Sequence, residues 1–173
     1  MLMRFTTISV AAALLVLTVS TSLNAQRPDS QLDARSVELV RQARGAQAAG
    51  NLAGANDLLE SAVAVDPRNR EAFVLLADIA QTQSLPGKAI RFYGEALKLD
   101  PNDVSALRGQ GEAMVTKGAM TRAKDNLAKI KTICKAGCAE ASTLAATIAK
   151  GPPPTPTPVA ANDNNTPKEA AKP

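Results

Sequence analysis

The chain has 173 residues and carries 20 Lys and Arg against 16 Asp and Glu, a net charge of +4, with no histidine. Because histidine is the commonest general base and the usual partner of a serine or cysteine nucleophile, its absence excludes catalytic triads of the familiar kind. The basic residues are interspersed with acids, and the aromatic residues beyond the N-terminal segment are Phe73, Phe92 and Tyr93. This composition does not favour a groove that binds nucleic acid.

Residues 1–25 have the order of a secretory signal peptide, with Arg4 followed by an apolar run from Ile8 to Val19 and then small and polar residues. A membrane-spanning helix needs about 20 apolar residues, so this shorter run predicts a cleaved signal. The mature chain would begin near Gln26, with a net charge of +3 because only Arg4 is lost. We therefore expect a bacterial periplasmic or secreted protein without stable membrane insertion. Cleavage after Ser22 and retention as a weak anchor are the alternatives.

A lead-in over residues 26–35 is followed by a repeat with a period of 34 residues. A shift of 34 superimposes three sets of residues and two proline corners: Gly50, Ser84 and Gly118; Ala55, Ala89 and Ala123; Leu59, Tyr93 and Leu127; Asp66-Pro67 and Asp100-Pro101. A fixed period of this length is typical of stacked helix-turn-helix units.

The second unit resembles the tetratricopeptide repeat family most fully. It has large, small and proline residues at the family's positions, namely Phe73, Leu76, Ala77, Ala80, Ala89, Tyr93, Ala96, Leu97 and Pro101. The resemblance covers three units, 36–69, 70–103 and 104–137, and a capping helix at 139–149 completes a domain over 36–150. The outer units depart from the pattern, with Gln42 and Gln110 where the family prefers leucine. The resemblance implies an all-α fold whose helical hairpins stack as a right-handed superhelix.

Local chemistry predicts where the helices end. Proline disfavours helix in the residue before it and clashes with continued helix, so Asp66-Pro67 and Asp100-Pro101 should each end a second helix. Asn69 and Asp103 then stand where they cap the next helix. Pro86 lies where a second helix begins, a position at which its missing N–H costs little.

The third unit has Cys134 and Lys135 in place of the Asp-Pro corner, and Cys138 follows after Gly137. In an exported protein, two cysteines this close predict a disulfide, which requires a broken helix between them. Such a short loop would stabilise the fold by roughly 2 kcal/mol. A redox-active pair is the alternative, although the spacing is C-x3-C and no thioredoxin-like pattern surrounds it. Two thiols without histidine do not predict a metal site, and we expect no cofactor.

The resemblance also implies a concave face lined by the first helix of each unit, on which a partner's extended peptide or helix is held. Carrying over the family's groove positions gives Val37, Val40, Arg44, Gln47, Glu71, Val74, Asp78, Gln81, Ser105, Arg108, Glu112 and Val115. The family's clamp for a terminal carboxylate uses lysine and asparagine where Val40 and Arg44 stand, and asparagine where Leu75 stands. The clamp is therefore absent, which argues against a chaperone tail as the ligand.

Residues 151–173 are rich in Pro, Thr, Asn and Ala, a composition that predicts a disordered tail. Taken together, the sequence favours a non-enzymatic interaction scaffold of the bacterial cell envelope, with a protein or peptide as its partner and no nucleic acid. The alternatives are a thiol-disulfide redox protein acting through Cys134 and Cys138, and an assembly subunit of a pilus or secretion system.

Overall fold

The computed structural model describes residues 31–135 and 137–154. The predicted signal peptide and most of the predicted tail lie outside these residues. The described residues form seven helices, without strands: α1 Ala34–Ala48, α2 Leu52–Val65, α3 Arg70–Thr82, α4 Pro86–Leu99, α5 Val104–Thr116, α6 Met120–Cys134 and α7 Ala139–Lys150. The expected all-α architecture is confirmed. The first six helices pair as successive hairpins, and α1 begins two residues before the predicted first unit.

Each hairpin turn contains one residue with positive φ, and these residues are 34 positions apart. Gly50 has φ 77°, Ser84 has φ 58° and Gly118 has φ 75°. This left-handed conformation ends a helix and allows the following backbone N–H to bond back into its last turn. Glycine adopts it without steric cost. The recurrence of small residues in this register of the sequence is therefore explained by the turn.

The corners between hairpins follow the predicted chemistry. Helices α2 and α4 end immediately before Asp66-Pro67 and Asp100-Pro101. The side chain of Asn69 accepts a bond from the N–H of Ala72, and Asp103 accepts from the N–H groups of Ser105 and Ala106. Both predicted N-caps are thus present.

Asp66 ties the start of the domain to the first corner. Its carboxylate accepts a hydrogen bond of 2.9 Å from the N–H of Asp33 and bonds from the backbone and guanidinium of Arg68. The Arg68 guanidinium and these N–H donors hold the pKa of the buried Asp66 carboxyl at about 2. The residue that ends α2 therefore also positions the start of α1.

Small residues in register allow the helices to approach closely. Ala55, Ala89 and Ala123 are fully buried, and so are Leu59 and Tyr93, which fill the space beside them. The core continues from hairpin to hairpin because each first helix packs on the second helix of the preceding pair.

The two glutamines that depart from the family pattern have different surroundings. Gln42 is exposed and bonds to Glu38. Gln110 lies in the core, where its amide donates to the carbonyl of Ile90 at 3.2 Å and accepts from Asn126 at 3.0 Å. Its buried polar atoms are therefore satisfied, as the low dielectric of a core requires.

Helix α7 closes the exposed end of the stack. Its Leu144 is fully buried against Leu107 and Ile130 of the third hairpin. The corner before it has positive φ at Lys135 (50°) and at Gly137 (91°), as expected for a broken helix. The Cα atoms of Cys134 and Cys138 lie 5.9 Å apart, a separation that disulfides span.

Candidate functional site

The first helices α1, α3 and α5 bring the predicted groove residues into one row. At one end, Nη2 of Arg44 on α1 lies 2.6 Å from Oε1 of Glu71 on α3, and both side chains are about half exposed. At the other end, Nη1 of Arg108 donates to both carboxylate oxygens of Glu112, at 3.1 and 3.0 Å. The groove therefore contains charges of both signs that already have partners.

A hydrogen-bonded network joins the middle of this row. The Tyr93 hydroxyl, on α4, donates to Oδ1 of Asp78 at 2.5 Å. The Gln81 side chain donates to the same hydroxyl oxygen at 2.7 Å and to the carbonyl of Gly109 at 3.2 Å. Two predicted groove residues, Asp78 and Gln81, thus link α3 to α4 and α5 and have limited freedom to turn toward a ligand.

Burial governs the ionisation of this network. Desolvation raises the pKa of the Asp78 carboxyl, against the opposing effects of the Tyr93 hydrogen bond and the positive charge of Arg108. Burial also raises the pKa of Tyr93, and the neighbouring Asp78 carboxylate raises it further. The Tyr93 hydroxyl therefore stays protonated and serves as a fixed donor.

The sequence predicts Tyr93 as a repeat position and not as part of the site. A tyrosine buried in a core usually finds a partner for its hydroxyl. In the sequence it occupies the register of Leu59 and Leu127, and this exchange of leucine for tyrosine is the signal that indicates a polar partner nearby.

A cavity of about 310 Å³ lies at the N-terminal end of the row. Leu32 and Val37, which are 39% and 48% exposed, form its apolar rim. Its lining consists of Leu32, Val37, Val40, Arg41, Arg44, Asn69 and Glu71. The Arg44–Glu71 ion pair thus borders an apolar pocket large enough for one aliphatic side chain.

The remaining predicted groove residues are placed differently. Val40 is 4% exposed and belongs mainly to the core, although it lines the floor of the cavity. Gln47 and Val74 are half-buried, and Ser105 is exposed. Val115 is buried beside Met114 and Ala123, so the expectation that it lines the groove is wrong. The cluster that buries it also contains Ile90 of α4 and Ile148 of α7.

Two further properties of the described residues bear on function. None of the helices in residues 31–135 and 137–154 is both long and apolar enough to cross a membrane. Within the same residues, no group of three or more His, Cys, Asp or Glu side chains is arranged to hold a metal ion.

Solved structures with the same architecture support the fold assignment. The tetratricopeptide domain of Sgt2 from Aspergillus fumigatus is 21% identical, with 80% of this chain and 98% of that domain aligned at a TM-score of 0.63. The second such domain of human RPAP3, in complex with the HSP70 peptide SGPTIEEVD, is 18% identical over 66% of this chain and 95% of that one, with a TM-score of 0.62.

An enzyme is also among the similar structures. The O-GlcNAc transferase of Thermobaculum terrenum is 22% identical and aligns with 72% of this chain at a TM-score of 0.60, but with only 23% of its own length. The likeness is therefore confined to a part of that enzyme. No curated protein matches the chain.

The family assignment comes from the sequence match. The tetratricopeptide repeat model matches residues 40–103 and again 76–127, so that residues 40–127 are covered, about half of the chain. This region runs from the middle of α1 to the middle of α6 and contains the four helices between them. With the helical hairpins and the 34-residue register of their turns, the match shows that this protein belongs to the tetratricopeptide repeat family.

Proposed function

We propose that this protein is a non-enzymatic scaffold of the bacterial cell envelope, exported to the periplasm or secreted, that holds a peptide or helix of a partner protein. The binding face is the row of side chains on α1, α3 and α5. The observation that supports it most is the apolar cavity bordered by the Arg44–Glu71 pair, since interfaces combine a buried apolar anchor with a polar rim.

The chemistry of this face selects the ligand. An aliphatic side chain of the partner would fill the cavity over Leu32 and Val37. Its flanking backbone and polar groups would bond to Arg44 and Glu71, which retain exposed surface. Because Val40, Arg44 and Leu75 replace the residues of the family's carboxylate clamp, we expect a ligand different from the HSP70 peptide in the complex of human RPAP3.

A comparison of two matched variants in affinity capture tests this proposal. The chain from Gln26 onward is the bait for an envelope extract of the organism that encodes it. The groove variant combines Val37→Asp with Arg44→Ala. We expect it to reduce the amount of captured partner at least about tenfold, because both changes remove the cavity's complementarity to the ligand. The control variant combines Leu99→Asp with Arg35→Ala, which change an exposed leucine and an exposed arginine outside the groove. It should retain the captured partner.

Mass spectrometry with isotope-labelled reference peptides gives the amounts, and circular dichroism confirms that both variants are folded. A partner that the groove variant and the control variant retain equally would contradict binding at this face, as would the absence of any partner that depends on either residue.

We further propose that Cys134 and Cys138 form a structural disulfide, and not a redox-active one, at the corner before α7. Both side chains are half-buried and pack on the cluster that contains Ile130 and Leu144, which shields the bond from attacking thiols. We expect a reduction potential well below the thioredoxin range of about −270 mV. Equilibration in glutathione or dithiothreitol buffers followed by thiol alkylation measures it. A value at or above that range would favour the redox alternative.

A further inference from the structure

The positive charge of the described domain is concentrated in one helix and its flanks. Residues 31–116 carry nine Lys and Arg against eleven Asp and Glu, a net charge of −2, whereas residues 117–135 carry six against one, a net charge of +5. The asymmetry is present in the sequence itself, because the six cations lie within 19 consecutive residues; this segment is an exception to the interspersed charges of the rest of the chain. The members of this cationic surface are Lys117, Arg122, Lys124, Lys129, Lys131 and Lys135, and all six are exposed.

These cations have no ion-pair partner in the part of the chain that the structure describes. In the first two hairpins and α5, by contrast, most basic side chains are paired with carboxylates, as in Arg41–Glu38, Arg44–Glu71, Arg68–Asp66, Arg70–Asp103, Lys98–Glu95 and Arg108–Glu112. The cationic surface therefore retains its full charge toward the outside.

Helix stability does not account for this pattern. Cations near a helix N-terminus oppose the macrodipole, yet Arg122 and Lys124 lie in the first turns of α6, which carries no acidic residue in its first turn. Only Lys131 and Lys135, at the other end, are favoured by the dipole. The positive charge in the first turns of α6 thus has a small cost in stability, which points to a role other than stabilising the fold.

The outer side of α6 has no apolar anchor. Between the two rows of cations, a strip of small and polar residues follows the helix: Thr121, Asp125, Ala128 and Thr132, all exposed. Protein interfaces are depleted in lysine and depend on buried aromatic or apolar groups, so this side does not fit a packed protein interface. A nucleic-acid site would favour arginine forks and stacking aromatics, but five of the six cations are lysines.

We propose that the cationic surface of α6 binds the anionic phospholipid headgroups of a membrane, peripherally and reversibly. Flexible lysine side chains are attracted to a negatively charged bilayer surface without needing a specific geometry, and their contributions to the binding free energy add. The helix has 15 residues and is about 22 Å long, so its cations contact several headgroups at once. Because α6 packs on α5 and α7 through its buried side, membrane contact leaves the face of α1, α3 and α5 open to a partner.

Co-sedimentation with vesicles tests this inference on the chain from Gln26 onward, which contains every described helix. In about 0.05 M NaCl we expect binding to vesicles of equal parts phosphatidylglycerol and phosphatidylcholine, and none to phosphatidylcholine alone. In about 0.5 M NaCl the binding should disappear, because salt screens exposed charges. A triple variant with Lys124→Gln, Lys129→Gln and Lys131→Gln should lower the partition constant about 100-fold, at about fivefold per lysine.

The control combines Arg35→Gln, Lys88→Gln and Lys98→Gln, which remove the same charge from exposed or half-exposed sites outside α6. It should lower the partition constant less than about tenfold. Equal losses in the two triple variants would show that net charge alone acts and would overturn the assignment to α6. Absence of a preference for anionic vesicles, or tighter binding to a DNA duplex than to vesicles, would overturn the assignment to lipid.

Discussion

Leu144→Ala is expected to lower the free energy of unfolding by about 2–5 kcal/mol. The leucine is fully buried, and its side chain fills the space above Gly111 of α5, so its removal leaves a cavity between α7 and the third hairpin. A β-carbon placed on Gly111 would lie 2.6 Å from Leu144 Cδ2, which shows how closely the two helices approach. Urea denaturation followed by far-UV circular dichroism measures the change.

Leu99→Ala is the matched control for this prediction. Leu99 lies at the end of α4 and is 41% exposed, so the same truncation should change the free energy of unfolding by about 0.5 kcal/mol or less. Similar effects of the two substitutions would mean that α7 does not pack on the stack as described.

Gly109→Ala is expected to destabilise the protein by about 1–3 kcal/mol, although alanine favours helix over glycine by about 1 kcal/mol. A β-carbon at position 109 would overlap the ring of Tyr93, with Cε1 at 2.8 Å and Cζ closer still. The ring cannot move aside, because Tyr93 is buried and its hydroxyl is bonded to Asp78 and Gln81. The steric overlap should therefore outweigh the gain in helix propensity.

Gly45→Ala makes the same chemical change with the opposite expected sign. Gly45 lies in the exposed part of α1 and its added β-carbon would meet no atom within 4 Å. Only the higher helix propensity of alanine remains, so the free energy of unfolding should rise by up to about 1 kcal/mol. Thermal and urea denaturation of both variants give the comparison, and a stabilised Gly109→Ala protein would refute the close packing of Tyr93 on α5.

The inner face of the stack is more rigid than its composition suggests. Asp78 and Gln81 are held by Tyr93, and Arg108 is held by Glu112, whereas at the N-terminal end of the row an apolar cavity adjoins partly exposed charges. For this reason the proposed anchor for a partner lies beside Val37 and Arg44, and the C-terminal hairpin contributes the cationic surface of α6 on the opposite side.

Two glycines within one helix show that a sequence can indicate close packing without identifying the residues that pack there. Gly109 and Gly111 both lie in the interior of α5. Glycine in a helix interior costs about 1 kcal/mol, so two of them indicate close approach of neighbouring groups. The neighbours, Tyr93 and Leu144, belong to other helices and could be identified only from the fold.

Sequence alone determined the helix ends and the register of the stack. The turn residues Gly50, Ser84 and Gly118, the Asp-Pro corners and the caps Asn69 and Asp103 act on backbone groups within about four residues, so their effect does not depend on the rest of the fold. Their period of 34 residues then predicts which positions carry small residues that are buried between helices.

Only the tertiary structure decided which of the predicted groove side chains remain available. The Arg44–Glu71 pair, the Asp78–Tyr93–Gln81 network and the cavity beside Val37 each join different helices, and their distances depend on how successive hairpins are rotated against each other. Packing between helices also buries Val115. Side-chain contacts between helices are set by packing geometry, which local sequence does not specify.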